Sequence, residues 1–395
     1  MVAADATADQ LIGAMRALLP LVRRYGPQAE RERRLSQAVA GAMAEVGICR
    51  MLAPRAVGGL EIDPITQLDV LYELSRADGA TGWVAQVYSS VSHLAGFLRP
   101  DVGREIYGRN PNAIVSGTLA APYGRAVAVE GGYRVSGRWP YASGCQGADW
   151  LAATAAVHDG DGPRLDPDGA PAQRIVVLPA SAATIRDTWH AGGLRGTGSH
   201  DVEVADIFVP AGWTFWWTDR PYFEAPLYVA RWWLLGHGAQ RLGMARAAID
   251  SLAELAQTKV PTRSQVLLRD RPLAQMQFAQ AEALFESARL FLWGTAERLW
   301  QQARGGKRLA PRQQATARLA NTYAAQVAVQ VVDLMYSAAG GSAVYEGSPL
   351  EQLFRDIHVA AQHAAVALQT YEQLGQILLH PEPESLPRPP GPPLF

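Results

Sequence analysis

Apolar positions between residues 8 and 110 recur at the spacing of helices. Leu11, Ala14, Met15, Leu18 and Leu19 form one stripe, and Val39, Met43 and Val46 another. Asp63-Pro64 predicts a helix start: a capping carboxylate, then a proline where no N–H is needed. Leu68, Leu71, Tyr72 and Ser75 continue on one face. Asp78-Gly79-Ala80-Thr81 predicts the next start, with Trp83, Val87, Val91 and Leu94 following, and Pro100-Asp101 opens a short helix. The run Arg31 to Arg34 reads as a solvated helix face.

The period changes at Pro111. Short β runs follow at Ala113–Gly117, Ala126–Val129, Tyr133–Gly137, Trp150–Val157, Arg174–Leu178, Ala183–Asp187 and Val202–Val209. Glycine and proline clusters separate them, the pattern of a β-sandwich or barrel. Gly131-Gly132 reads as a hairpin turn, because glycine adopts positive φ at little cost. Tyr133, Val135, Trp139 and Tyr141 then alternate along a strand that runs into Ser143-Gly144. The Gly-, Asp- and Pro-rich insert Asp159–Gln173 reads as a surface loop. From Pro226 the pattern is helical again. Segments at Leu227–Thr258, Pro272–Arg304, Pro311–Ala338 and Pro349–Leu379 suit an antiparallel four-helix bundle, with Gly305-Gly306 and Gly340-Gly341 as breaks. The expected fold class is α+β and multidomain. It comprises an N-terminal helical domain (1–111), a central β domain (112–225), a C-terminal four-helix bundle (226–380) and an extended proline-rich tail (381–395).

Composition narrows the function. A chain of 395 residues that is 48% hydrophobic has ample material for a core. A net charge of -1 argues against nucleic acid or an anionic membrane as partner. Cys49 and Cys145 give neither a disulfide framework nor a Cys/His metal cluster, so no metal is expected. The first residues are acidic and small, unlike a signal peptide, and no apolar run approaches the ~20 residues that span a bilayer. A cytoplasmic protein is expected. The GxGxxG fingerprint after a strand is absent, so the chain shows no nicotinamide-dinucleotide domain of its own.

The order of helical domain, β domain and bundle resembles the acyl-CoA dehydrogenase superfamily. The residues that carry the resemblance are GWVAQVYSSVSH (Gly82–His93), GGYRVSGRWPYASGCQGADW (Gly131–Trp150), LRGTGSHDVEVADIFVP (Leu194–Pro210) and GGSAVYEGSPLEQLFRDIHVAAQH (Gly340–His363). Within the superfamily the chain is similar to the two-component, reduced-flavin-dependent monooxygenases. That resemblance implies a flavin, FMN or FAD, between the β domain and the bundle. Tyr141-Ala142-Ser143 stands where relatives run an aromatic-x-Thr segment past the ring edge. Gly117-Thr118 precedes the other flavin-lining loop, although SGTLAAPYGRA lacks the family's acidic turn. Gly340-Gly341 and Arg263 match positions that hold the cofactor's phosphate or adenosine part across a subunit boundary. Arg263 lacks the Phe-Gly that usually follows.

A dehydrogenase of this superfamily also needs a carboxylate to remove an α-proton. One family position for it holds Ala364; for the other, no Asp or Glu occurs from Ala225 to Ile249. Glu346 lies outside both. Next to Ala364 stands His363, which matches a catalytic histidine of the monooxygenases, and His93 matches a second. The resemblance implies that His363, with His93, moves a proton, while Ser143 positions the oxygen adduct, a flavin C4a-hydroperoxide formed from reduced flavin and O2. His358 reads as structural. The aromatic stretch from Trp213 to Trp233 supplies candidate pocket walls: Trp217, Tyr228, Trp232 and Trp233, with His237. The expected activity is hydroxylation of a flat apolar, aromatic substrate by an oxygenase component that assembles as a homotetramer and is fed by a separate NAD(P)H:flavin reductase through diffusion. A flavin dehydrogenase or oxidase, and an amine-oxidising monooxygenase, are the alternatives of the same fold.

Overall fold

The computed structural model describes residues 7–119, 123–160, 162–166 and 169–383. Part of the flavin-lining loop after Thr118, part of the Asp159–Gln173 insert and most of the proline-rich tail lie outside the described residues.

The N-terminal part is helical, as its pattern requires: α1 (Ala8–Glu32), α2 (Gln37–Glu45), α3 (Pro64–Ala77), α4 (Gly79–Ser92) and the short α5 (Pro100–Gly103). Thr7 and Gln10 cap α1 reciprocally, which satisfies two N–H groups that the first turn leaves unpaired. The Asp63 carboxylate accepts from the N–H groups of Ile65 and Thr66. Asp78 ends α3 in an extended conformation and caps α4 by accepting from Thr81 N–H. Arg33 departs from the solvated-face reading. It adopts positive φ at the end of α1, and its guanidinium binds Asp187 and the Trp189 carbonyl of the β domain.

The strands are β1 (Val115–Thr118), β2 (Gly124–Val129), β3 (Gly132–Ala142), β4 (Trp150–Asp159), β5 (Gly162–Pro163), β6 (Gln173–Pro179), β7 (Thr184–Arg186), β8 (His200–Pro210) and β9 (Thr214–Phe215). They form one mixed sheet, in the order β7-β8-β3-β2-β4-β6-β9, with β1 and β5 also on β4. The branching has a simple geometry. β1 runs parallel to the first part of β4, at Trp150–Ala153, and β2 parallel to its later part, at Ala155–His158. The hairpin turn sits one residue earlier than the glycine pair suggests. Val129 pairs with Gly132, and only Gly131 of the two glycines takes positive φ. Gly124 faces Gly137 across the β2–β3 ladder because Trp139 fills the space beside both. A Cβ on Gly124 would stand 2.1 Å from the Trp139 ring, whose indole N–H donates to the Thr154 carbonyl.

The register of β3 on β8 slips between Trp139 and Ala142. Such a bulge re-aims the chain. Here it puts Tyr141 at φ 63 with 65% of its surface exposed.

The bundle comprises α6 (Gly236–Ala256), α7 (Pro272–Arg304), α8 (Pro311–Ala339), α9 (Pro349–Ala360) and α10 (Gln369–Leu379). Two expected helices are interrupted. The first does not start at Leu227: single turns at Pro226–Tyr228 and Trp232–Leu235 precede α6. The last breaks after Ala360 and resumes at Gln369, with one tight turn at Ala364–Val366 between. Side chains of other helices take the carbonyls at this break. Arg241 of α6 binds the Ala360 carbonyl, Asn321 of α8 the Ala365 carbonyl, and Gln326 the Val366 carbonyl. Among the described residues no helix is long and apolar enough to cross a membrane.

Candidate active site

The break in the last helix places His363 beside α6. Its imidazole stacks on that of His237, with ring centroids 4.4 Å apart and planes 28° from parallel. The Ala365 N–H donates to His363 Nδ1 at 3.2 Å, so the neutral ring carries its proton on Nε2. Burial, then the Arg241 and Arg318 guanidinia, push His363 down to about 3. Burial also pushes His237 well below its ordinary value, and His363, Arg241 and Arg318 add to that. Both rings are therefore neutral near pH 7. His237 Nδ1 is buried with no hydrogen-bond partner among the described residues, and so is Trp233 Nε1.

Trp83 of α4 joins this pair to the β domain. Its ring meets His363 edge-on at 5.5 Å and His237 at 6.1 Å, and the Arg241 guanidinium lies 5.2 Å from its centroid. Its indole N–H donates to Ser143 Oγ at 3.0 Å. Ser143 is held on several sides. Its own N–H donates to the Tyr141 carbonyl, and its carbonyl accepts from Ser116 Oγ at 2.7 Å. Its hydroxyl lies 2.6 Å from Ser199 Oγ, which lies 2.7 Å from Thr197 Oγ1. The two ends fix the direction of this chain. An indole N–H only donates and a carbonyl only accepts. Thr197 gives its proton to the Leu194 carbonyl at 2.8 Å, so Ser199 donates to Thr197 and Ser143 to Ser199. Ser143 is left with an accepting lone pair and no free proton.

His93 lies elsewhere. It is fully buried, donates from Nε2 to the Leu227 carbonyl at 2.9 Å, and contacts the rings of Phe97 and Tyr228. Burial pushes it down to about 4, with the Leu227 hydrogen bond opposing and Arg231 assisting. Tyr228 is buried too, its hydroxyl on the Leu52 carbonyl. Trp232 is fully buried against Trp300, its N–H on the Pro226 carbonyl. Both read as packing residues. Trp217 and Trp233 lie together, with centroids 6.1 Å apart. His358 pairs with Asp333 at 2.9 Å.

Gly117-Thr118 ends β1 beside β4. Gly340-Gly341 is an exposed turn at the end of α8, where Gly340 takes φ 55 and open space surrounds both glycines. Lys259 binds the Ala339 carbonyl beside it, and Arg263 is exposed at φ 62 in the same connection between α6 and α7. An exposed glycine turn with the Lys259 ammonium beside it suits a phosphate group. The buried, partnerless N–H or ring nitrogen atoms of Trp233 and His237, and the accepting lone pair of Ser143, suit a planar polar ring. The residues therefore fit a flavin. Among the described residues no cluster of His, Cys, Asp or Glu is placed to hold a metal.

Among the described residues no acid is one of the groups acting on His237 or His363. Asp356 is buried, but its carboxylate accepts from Leu194 N–H at 2.5 Å and lies against Gly79. Glu346 is exposed. Family models agree with the architecture: the acyl-CoA dehydrogenase N-terminal domain matches residues 14–98 and the C-terminal domain residues 235–368. The indole-3-acetate monooxygenase of Pseudomonas putida is 36% identical over 389 residues, covering 96% of this chain and 97% of that protein. The chain belongs to the acyl-CoA dehydrogenase family, in its flavin-dependent monooxygenase branch. Among solved structures, the HsaA monooxygenase of M. tuberculosis superposes with a TM-score of 0.86 at 28% identity, over 99% of this chain and 100% of that one. XiaF from Streptomyces, solved with FADH2 and glycerol, gives 0.85 at 26% identity over 96% and 97%. This flavin-dependent oxidoreductase carries the His237–His363 pair beside Ala364, the residue at one of the positions where a dehydrogenase holds its carboxylate.

Sequence reasoning missed several members of the cluster. Trp83 was visible as an apolar helix position inside the GWVAQVYSSVSH segment, with no site role read from it. Ser199 and Thr197 sit in the LRGTGSH segment, whose small hydroxyl residues were the available signal. Arg241 and Lys259 carried no motif.

Proposed function

We propose that the protein is the oxygenase component of a two-component monooxygenase that hydroxylates a flat aromatic substrate. The observation that carries this reading is the His237–His363 pair, linked through Trp83 to Ser143, with no carboxylate acting on either ring among the described residues. The balance is substrate plus O2, two electrons and two protons giving hydroxylated product and water. When bound, reduced flavin supplies the two electrons and activates O2.

The chain's residues do the rest. Ser143, with its remaining lone pair, would accept a hydrogen bond from a flavin ring N–H, of which a reduced flavin has more than an oxidised one. Neutral His363 offers its Nε2–H to an oxygen gaining negative charge, and preorganised donors of this kind lower such barriers. Trp217 and Trp233 wall off water, which slows wasteful release of hydrogen peroxide. His93 supports the site by holding the Leu227 carbonyl. The Gly340-Gly341 turn, Lys259 and Arg263 would hold the flavin's phosphate-bearing arm, and a homotetramer would complete that site across a subunit boundary. A separate reductase supplies the flavin by diffusion. Oxygenase-component relatives support this, such as the HsaA oxygenase subunit of Rhodococcus jostii, 29% identical over 363 residues.

The test is turnover with a flavin reductase, NADH, FMN or FAD, ¹⁸O2 and a panel of phenols and indoles. One ¹⁸O atom per product is expected. Anaerobic bleaching of oxidised flavin by an acyl thioester would overturn the reading.

A further inference from the structure

A stripe on α4 leads away from the histidine pair. Trp83, Val87 and Val91 stand four residues apart and so share one helix face. Trp83 meets His363 at one end, and Val91, about 12 Å further along the axis, borders an internal cavity at the other. The cavity has a volume of about 10 Å³. Leu94, Leu98, Ile106, Val115 and Val177 line it with Val91, and none of these is more than 4% exposed. Of the lining side chains only that of Tyr107 carries a polar atom. A single wide turn makes the room: the Arg109 N–H reaches back five residues to the Arg104 carbonyl at 3.0 Å, and Ile106 and Tyr107 lie within that turn. Such π turns occur frequently at functional sites. The flavin-lining strand borders the same place. Val115 stands two residues before Gly117 on β1, and a Cβ on Gly117 would lie 3.3 Å from a Val91 methyl.

We infer that this cavity is a docking site for dioxygen, the apolar co-substrate, on its way to the strand that would line the flavin. The inference rests on the oxygenase reading and names where its second substrate waits. Space of this size holds one small molecule. A water there needs about two to four polar partners, and the lining side chains offer the Tyr107 hydroxyl alone. An apolar cavity of this kind stays dry and takes up apolar guests. Dioxygen has neither charge nor dipole, so its transfer from water to apolar walls is favourable. A guest also restores the dispersion contacts that the lining of a void lacks. A charged substrate gains nothing from such walls, because burial without a partner is costly. The sequence keeps the space open: Ala95 also borders it, where a larger side chain would fill it.

The experiment is methyl NMR on the flavin-free protein, labelled at Ile, Leu and Val, under dioxygen and then under argon at equal pressure. Dioxygen is paramagnetic and broadens the methyl signals that it touches. Signals of Leu94, Leu98, Ile106 and Val177 should broaden several-fold more than those of Leu292 and Val331, which are fully buried in the bundle. Ala95→Leu fills the space and should erase that excess. The same variant should slow the reaction of bound reduced FMN with dioxygen several-fold, with reduced-FMN affinity unchanged. Ile106→Val widens the space and should raise the broadening of Leu94 and Leu98. Equal broadening across all these buried methyls would overturn the inference, as would an undiminished dioxygen rate in folded Ala95→Leu. The wild-type comparison decides the matter even where Ala95→Leu fails to fold. If wild type oxygenates indole while Leu94 broadens no more than Leu292, the inference falls and the oxygenase reading stands. If Leu94 broadens as expected and the flavin-loaded protein yields peroxide alone, dioxygen docks there and the oxygenase reading falls.

Discussion

The imidazoles of His237 and His363 lie face to face, with ring centroids 4.4 Å apart. Two such rings beside the Arg241 and Arg318 guanidinia cannot both carry protons. Both rings are therefore neutral near pH 7, and in the proposed reading His363 donates from Nε2. His363→Ala should lower oxygenation about 10²-fold and raise peroxide release, with flavin binding retained. His363→Gln keeps an N–H donor and should recover part of the coupling. If His363 were instead a base, Gln would be as inactive as Ala. Product and peroxide yields from single turnovers separate the two.

Ser143 and Trp83 give a prediction about stability. Trp83→Phe keeps the ring contacts and removes one N–H, so it should cost about 1 kcal/mol. Ser143→Ala leaves both the Trp83 indole N–H and Ser199 short of a partner, and should cost roughly 1–3 kcal/mol. Denaturation of both variants should show the serine change as the larger. The reverse order would mean that the hydroxyl chain does not run as described.

Acid should destabilise the fold through its histidines. His93 falls from 6.5 to about 4 and His363 from 6.5 to about 3 on folding. Their folded values are depressed, so the unfolded chain binds more protons below about 6.5. The stabilisation is complete above that pH and is lost as pH falls, on the order of 3 kcal/mol for His93 at full extent. Asp356 opposes this. Burial raises it from 3.8 to about 7, against the Leu194 hydrogen bond, so its stabilisation is complete below about 3.8 and is lost as pH rises through 7. Thermal scans from pH 8 to 5 should show Tm falling. Asp356→Asn removes the opposing contribution, so that fall should steepen while stability at pH 8 rises. A wild-type Tm that does not fall, together with no steeper fall in Asp356→Asn, would contradict both assignments.

Much of the fold was legible because its signals are local. Asp63 and Asp78 cap the helices that their positions announce, and the glycine-rich β runs pair as strands. The break before His363 was not legible. Nothing in HVAAQHAAVALQ forbids a helix, and the side chains that capture its carbonyls, Arg241, Asn321 and Gln326, come from other helices. His237 was therefore read as a pocket wall rather than as the partner of His363. Ser143 was legible, but its partner Trp83 lies 60 residues away in sequence. Arg33 looked like one more surface charge because Asp187 lies 154 residues off.

In the proposed reading this imidazole-lined site directs oxygen from a reduced flavin onto an aromatic ring. Mixing the protein, holding chemically reduced FMN and indole, with oxygenated buffer tests it without any reductase. Hydroxylated product in near-stoichiometric yield with the flavin, and little hydrogen peroxide, is expected. Peroxide in equal yield to the flavin, with indole unchanged across a panel of phenols and aromatic acids, would contradict it.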